Sequence, residues 1–229
     1  MVRNSFILLV VAGFAIFLFS ILQQHIPVSE PNKTAAYYIE NEASELGAAN
    51  IVTAIVVTYR GLDTLGEVTV LFLAAAIIGF ILGQAAPSEL SINTMKPSEI
   101  LVTSSRIIIP GTIILGVYVF INGHLSPGGG FQGGAIIGTA IALMVLSDPE
   151  KPLAYSMMHA VESASGIFYI ALGLMGLIFA NGFLDTRILG NGTLGHLVSA
   201  GAIPLIYSLI GLKVGAEISN IVYFVHKKY

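Results

Sequence analysis

The sequence predicts an all-α, polytopic membrane protein with about six transmembrane helices and one short re-entrant or interfacial helix. Three observations carry this. Of 229 residues, 55% are hydrophobic and only 10% are charged, whereas soluble domains average roughly 25% charged residues. Mean hydropathy is +0.85. Apolar runs of spanning length recur between short polar stretches, and a helix needs about 20 such residues to cross a bilayer. The formal net charge is −3, so nothing points to nucleic acid. Cysteine is absent, which excludes disulfides, Cys-held iron–sulfur clusters and thiolate zinc sites within the chain.

The first run, 5–22, covers roughly 27 Å as a helix. It exceeds a signal core of ~7–15 residues, and Gln23, Gln24 and His25 offer no small-residue cleavage site. A retained span is expected. Residues 23–45 are polar, with Pro27, Pro31 and the acids Glu30, Glu40, Glu42 and Glu45. They read as an ordered external loop.

The next apolar run, 47–59, is too short to cross as a helix. It is re-entrant, interfacial or covered by protein. Arg60, Asp63 and Glu67 interrupt it with charge before a second span at 64–82. A linker with Pro87 and Pro97 then divides the chain into three parts: 1–86 with about two spans, the linker 87–97, and 98–229 with four spans. Those four are expected at 98–121, 131–146, 157–179 and 196–225, the last kinked by Pro204.

Lys and Arg near the span ends set the expected orientation. With the N-terminus inside, Arg3, Lys96, Arg106, Lys151, Lys227 and Lys228 lie inside, and Lys33, Arg60 and Arg187 lie outside. The excess favours a multi-pass protein of the cell membrane with both termini cytoplasmic.

Between the third and fourth spans stands GHLSPGGGFQGG, residues 123–134. Proline fixes φ, and consecutive glycines allow backbone angles closed to other residues. Irregular backbone at membrane depth survives only where protein buries it or where it lines a wet cavity. Two readings stand: a polar path, or a tight turn at the lipid surface, the commoner use of these residues. Gly79/Gly83, Gly134/Gly138 and Gly211/Gly215 repeat a four-residue spacing that permits close helix approach.

A charged side chain inside the bilayer costs at least ~2.5–3.5 kcal/mol, so it needs a partner or water. Three sets qualify. Arg60, Asp63 and Glu67 share a helix face if the helix is continuous there, and form either a drawn-in site or a solvated outer cluster. Lys213 and Glu217, four apart in the sixth span, have apolar sequence on both sides. They form either a plain intrahelical ion pair or a proton relay, since burial pushes both residue types toward neutrality. His159 and Glu162 open the fifth span. There the helix dipole favours Glu162, and a His–Glu pair suits proton loading. His124 and His196 lie at the opposite ends of their spans, where a capping role is the commoner one. The glycine run lacks the Gly-Lys-Ser/Thr ending of a phosphate loop, no cluster has metal-ligand spacing, and Ser126 and Ser199 lack a base–orienter pair. Catalysis by this chain is not expected, nor is a bound metal.

Residues 98–218 carry the glycine motif at 124–134, VESASG at 161–166, and SAGAIP at 199–204 followed by GLKVGAE at 211–217. With these motifs the chain resembles the MrpB/MnhB subunit of multisubunit Na⁺/H⁺ antiporters. Residues 50–67, ending in YRGLDTLGE, are similar to the C-terminal segment of the large MrpA subunit. Their fusion resembles the antiporter-like modules of archaeal membrane-bound hydrogenase and sulfane sulfur reductase. The resemblance implies a small, non-catalytic subunit without a cofactor. It would pack beside larger antiporter-like subunits in the lipid bilayer and help form a route for Na⁺ and/or H⁺. It points to Asp63, Glu67, His124, Glu162, Lys213 and Glu217 as pathway positions, to which the charge analysis adds His159. Pro127, Gly128, Gly129, Gly130, Gly133 and Gly134 would shape the corner. The alternative is a purely structural subunit of the same complex.

Overall fold

The computed structural model describes residues 2–24, 30–84 and 96–228. Among them no strand forms, and six helices are long and apolar enough to cross a membrane. The all-α, polytopic expectation holds. Most of the expected linker, residues 87–95 with Pro87, lies outside the described residues, as does Pro27.

The chain forms two compact units, Met1–Tyr37 and Tyr38–Tyr229. The first holds α1 (Val2–Gln24), apolar around its whole circumference as a membrane span must be. It also holds the start of α2 (Lys33–Glu45). The loop expected over 23–45 is therefore helical from Lys33. Asn32 starts this helix: its Oδ1 accepts from the Ala35 N–H at 2.8 Å. Three alanines and three glutamates, both good helix formers, support it. In the sequence, the prolines and the density of acids mask that signal.

The second unit is organised around α8 (Ile203–Lys228). About 61% of its spanning stretch is buried within the chain, against 11% for α4 (Gly61–Gln84) and for α5 (Glu99–Ile121). α4, α5, α6 (Gly130–Ser147) and α7 (Tyr155–Phe179) all pack on it. Ile206, Ile210 and Val214 form its apolar centre. Small residues let the backbones touch: a Cβ on Gly134 of α6 would stand 2.7 Å from the Gly211 carbonyl oxygen of α8. Gly79 faces the Phe224 ring, but Gly83 faces open space, so that pair does not act as a unit.

α8 begins at Ile203 rather than near 196, because 196–202 is a run of turns. Pro204 therefore falls in the first helical turn, where its missing N–H costs nothing. The expected kink is replaced by a helix start.

The glycine corner, 122–129, is a tight turn between α5 and α6. None of its glycines adopts a left-handed backbone, and Gly129 is fully extended. The expected use of forbidden angles is absent. These glycines serve close approach instead. A Cβ on Gly123 would strike the Tyr207 ring at 2.6 Å, and one on Gly130 would strike Ile210 at 2.7 Å.

The short apolar run 47–59 is the cover of this corner. It forms α3 (Ile51–Ala54) and a π-helical turn, Ile55–Tyr59, before α4 begins. Of the three readings for a run too short to span, burial under protein is the observed one: Thr53, Ala54 and Val57 are at most 1% exposed. Asn50 caps α3 through the Val52 N–H, while its Nδ2 donates to the carbonyls of Gly123 and Ser126, both at 3.0 Å. Thr53 Oγ1 donates to the Gly123 carbonyl at 2.6 Å and accepts from Tyr207 Oη at 3.2 Å. Corner, cover and central helix are thus joined by one polar chain.

Candidate functional site

Lys213 lies on the central helix about 15 Å along the axis from Ile203 and about 20 Å from His226, and Glu217 lies about 21 Å and about 14 Å from them. Both ends are distant, so neither side chain reaches bulk water along its own helix. Lys213 Nζ stands 2.7 Å from Glu217 Oε1, with side-chain exposures of 11% and 0%. Four-residue spacing on one face brings them together. The Lys213 ammonium also lies 4.8 Å from the centre of the Phe72 ring of α4, and its stem runs past Gly166 of α7. A cation over an aromatic face is stabilised when water is excluded.

One oxygen of this pair is left over. Glu217 Oε2 is buried and has no hydrogen-bond partner among the described residues, and the same holds for Asn220 Oδ1 one turn further on. Asn220 Nδ2 donates to Glu162 Oε2 of α7 at 2.6 Å, and Glu162 lies within electrostatic reach of Glu217. Lys213, Glu217, Asn220 and Glu162 thus form a polar seam between α7 and α8, with acceptors in excess of donors. Buried acceptors left unpaired are costly, which is what makes such a seam a place for a proton or a water.

Beside the seam, α4 and α7 leave a cavity of about 390 Å³ over α8. It is apolar along Phe72, Ile167 and Ile170, and touches Lys213, Glu162 and His159. A second cavity of about 330 Å³ shares Phe72, His159 and Glu162 and continues toward Tyr155 and Asn220. His159 is exposed and shares a hydrogen bond with Ser163 Oγ at 3.1 Å. The expected His–Glu pair does not form as a direct contact: Glu162 turns instead to Asn220. Sequence reasoning missed Asn220. The signal was present, since it lies seven residues after Lys213 and three after Glu217 on one helical face.

The carboxylates at the start of α4 stand apart. Asp63 pairs with Arg60 at 2.7 Å, with side-chain exposures of 48% and 61%, and Glu67 is exposed. Of the two readings for this set, the exposed cluster is the observed one. Phe72, level with Lys213, is about 13 Å further along α4 than Asp63. The structure does not join these acids directly to the seam.

His124 occupies the corner and is completely buried. Its Nε2 lies 3.4 Å from the His196 carbonyl oxygen, and its Nδ1 has no partner among the described residues. Burial holds the imidazole below its usual range, against the backbone carbonyls of His196, Ile121 and Leu197. At neutral pH it is an uncharged packing group between the corner and the 181–202 loop. Pro127, Gly128 and Gly129 lie in the turn, while Gly133 and Gly134, expected to shape the corner, lie inside α6 and give it close contact with α5 and α8.

Comparison with known proteins gives this geometry a family. The family model described as a domain related to the MnhB subunit of Na⁺/H⁺ antiporter matches residues 100–220, and the model for the MbhE subunit of MBH matches residues 2–99. The solved structure of the membrane-bound sulfane sulfur reductase, an archaeal respiratory membrane complex, contains a chain 37% identical to this one, covering 98% of each at a TM-score of 0.80. The Mrp complex from a Dietzia species contains one 27% identical, with a TM-score of 0.74, over 95% of this chain and 25% of that one. A probable K⁺/H⁺ antiporter A/B subunit of Rhizobium meliloti is 27% identical over 51% of this chain and 14% of its own length. A Methanocaldococcus jannaschii protein without an assigned function is 28% identical over 75% of this chain and 74% of its own. A buried Lys–Glu seam on a glycine-packed central helix therefore sits inside a recognised membrane module: the chain belongs to the MnhB-related family of antiporter subunits.

Proposed function

We propose that this chain is a non-catalytic subunit of a cation/proton-translocating membrane complex driven by a redox partner, and that the seam of Lys213, Glu217, Asn220 and Glu162 relays protons across the middle of the membrane. The observation that carries the reading is the buried Lys213–Glu217 pair with an unpartnered carboxylate oxygen, opening onto a cavity that also touches Glu162 and His159. Lys213 has three donors and Glu217 two acceptors. A proton moving from Lys213 to Glu217 leaves both side chains without charge. A proton passed on to Glu162 restores the charge on Glu217, and that charge favours uptake of the next proton by Lys213. His159 is the exposed end of this relay at the α7 start. Asp63 and Glu67 form a carboxylate site at the opposite end, and His124 with the glycine corner holds that end rigid. With Arg106 and Lys151 near the His159 end, the excess of basic residues makes that side cytoplasmic.

The test is transport in vesicles holding the assembled complex. Lys213→Ala and Glu67→Gln should abolish or strongly reduce ion exchange with assembly intact on a native gel. Unchanged transport in both variants rules out the relay. A second reading, a brace without conduction, draws on the 2.7 Å pairing of Lys213 with Glu217 and the fixed Asn220–Glu162 contact. It expects the same substitutions to reduce assembly instead.

A further inference from the structure

At the end of the bundle away from the glycine corner, α5 and α6 diverge and leave a crevice of about 620 Å³. It plays no part in the seam. Its polar groups are Arg106 of α5, and Asp148 and Lys151 of the turn after α6, with Ser105 and Ser147 buried behind them. Its apolar wall is Val102, Ile109, Pro110 and Met144.

Three features define what this crevice accepts. First, its ionisable lining is two cations and one anion, a net charge of about +1 that one phosphodiester balances. Second, Pro110 stands inside α5 and has no N–H to offer the Arg106 carbonyl. That acceptor and the Asp148 carboxylate suit hydroxyl donors, while the guanidinium and ammonium suit a phosphate. Third, Arg106 lies only about 10 Å along α5 from Glu99, next to Ile107 and Ile108, which are 78% and 50% exposed. The charged groups are therefore at headgroup depth, and the apolar wall continues toward the hydrocarbon. A water-soluble phosphate has no use for that wall, and an acyl chain does.

We propose that this crevice binds one anionic phospholipid with a hydroxylated headgroup, its phosphate held by Arg106 and Lys151 and its headgroup hydroxyls by Asp148 and the Arg106 carbonyl. The bound lipid seals the gap between α5 and α6 at the membrane surface.

The experiment is native mass spectrometry of the assembled complex from mixed micelles containing phosphatidylglycerol or phosphatidylcholine. The expected result is one retained phosphatidylglycerol, at least tenfold preferred over phosphatidylcholine. Its retention should fall at least tenfold in Arg106→Gln/Lys151→Gln and stay unchanged in Lys33→Ala, a lysine outside the crevice. Both crevice side chains are exposed, so the double variant should fold, and an unchanged melting temperature checks that it does. Equal retention of both lipids overturns the proposal, as does undiminished retention in the double variant. Displacement by soluble glycerol phosphate at equal concentration would show a free-phosphate site. Photo-crosslinking from position 144 into a protein rather than a lipid would show a subunit contact. Either result also overturns it.

Discussion

Two charged clusters in this chain look alike as sequence and differ as physics. Arg60, Asp63 and Glu67 stand at three- and four-residue spacing, as Lys213 and Glu217 stand four apart. The Arg60–Asp63 pair is about half exposed on both sides, whereas Glu217 is sealed and Lys213 nearly so. The distances are the same, 2.7 Å. What separates the two is their place: Arg60 is the turn residue just before α4 and Asp63 lies in its first turn, at the outside of the second unit, whereas α8 is its centre. An exposed pair of this kind is worth roughly 0–1 kcal/mol. A buried pair gains less than its desolvation costs, but removing one partner leaves an uncompensated charge, at about 3–5 kcal/mol.

The largest expected effect comes from breaking the buried pair. Lys213→Ala should lower the stability of the assembled protein by about 3–5 kcal/mol as well as stopping transport. The double replacement Lys213→Met/Glu217→Leu sharpens the contrast. It should recover most of the stability, measured by thermal unfolding, without recovering transport. Recovery of both would reduce the pair to packing.

Next is Gly134→Val. The added side chain has no room between α6 and the Gly211 carbonyl, and overpacking costs about 1–3 kcal/mol. The loss should appear as a lower melting temperature with no change in the response of transport to pH. Asn220→Leu tests the seam itself. It frees Glu162 from its 2.6 Å contact, so transport should fall by about tenfold while stability changes by no more than about 1–3 kcal/mol.

His124 gives a smaller, pH-dependent effect. Burial holds its imidazole below the ordinary value, so the folded protein prefers it neutral. The stability it contributes is present above about pH 6.5 and is lost as pH falls through the depressed folded value. The melting temperature of the wild type should therefore drop on acidification below about pH 6.5, and that drop should be smaller in His124→Gln. The smallest effect is expected at the exposed cluster. Asp63→Asn should change stability by less than about 1 kcal/mol. A larger loss would mean that the acids at the start of α4 are structural.

Much of this fold is legible in the sequence because bilayer crossing is a one-dimensional constraint. Apolar length alone places five of the six spans to within about three residues at each end, and misses only the start of the sixth, which is at Ile203 rather than near 196. Lys213 and Glu217 are legible for the same reason, as charges in a stretch where charge is expensive. What is not legible is whatever depends on a third dimension. Arg60 and Asp63 are exposed because α4 is peripheral, which no local pattern states. The corner glycines suggest unusual backbone angles, but their use is contact with Tyr207 and Ile210, which lie far along the chain on α8. Asn220 is a polar residue that sequence reading passes over, because its importance lies in what α7 sets opposite it. Pro204 signals a kink until the preceding turns place it in the first helical turn.

The joint made by Asn50 and Thr53 with the Gly123 and Ser126 carbonyls has a consequence for stoichiometry. It binds the part of the chain matched by one family model to the part matched by another. Two separate polypeptides would have to find this joint from solution or from the membrane plane. On one chain, covalent connection holds them at an effective concentration of roughly millimolar, and a few modest hydrogen bonds suffice. Every copy of the cover therefore arrives with its own corner, in a fixed one-to-one ratio that no assembly factor has to enforce.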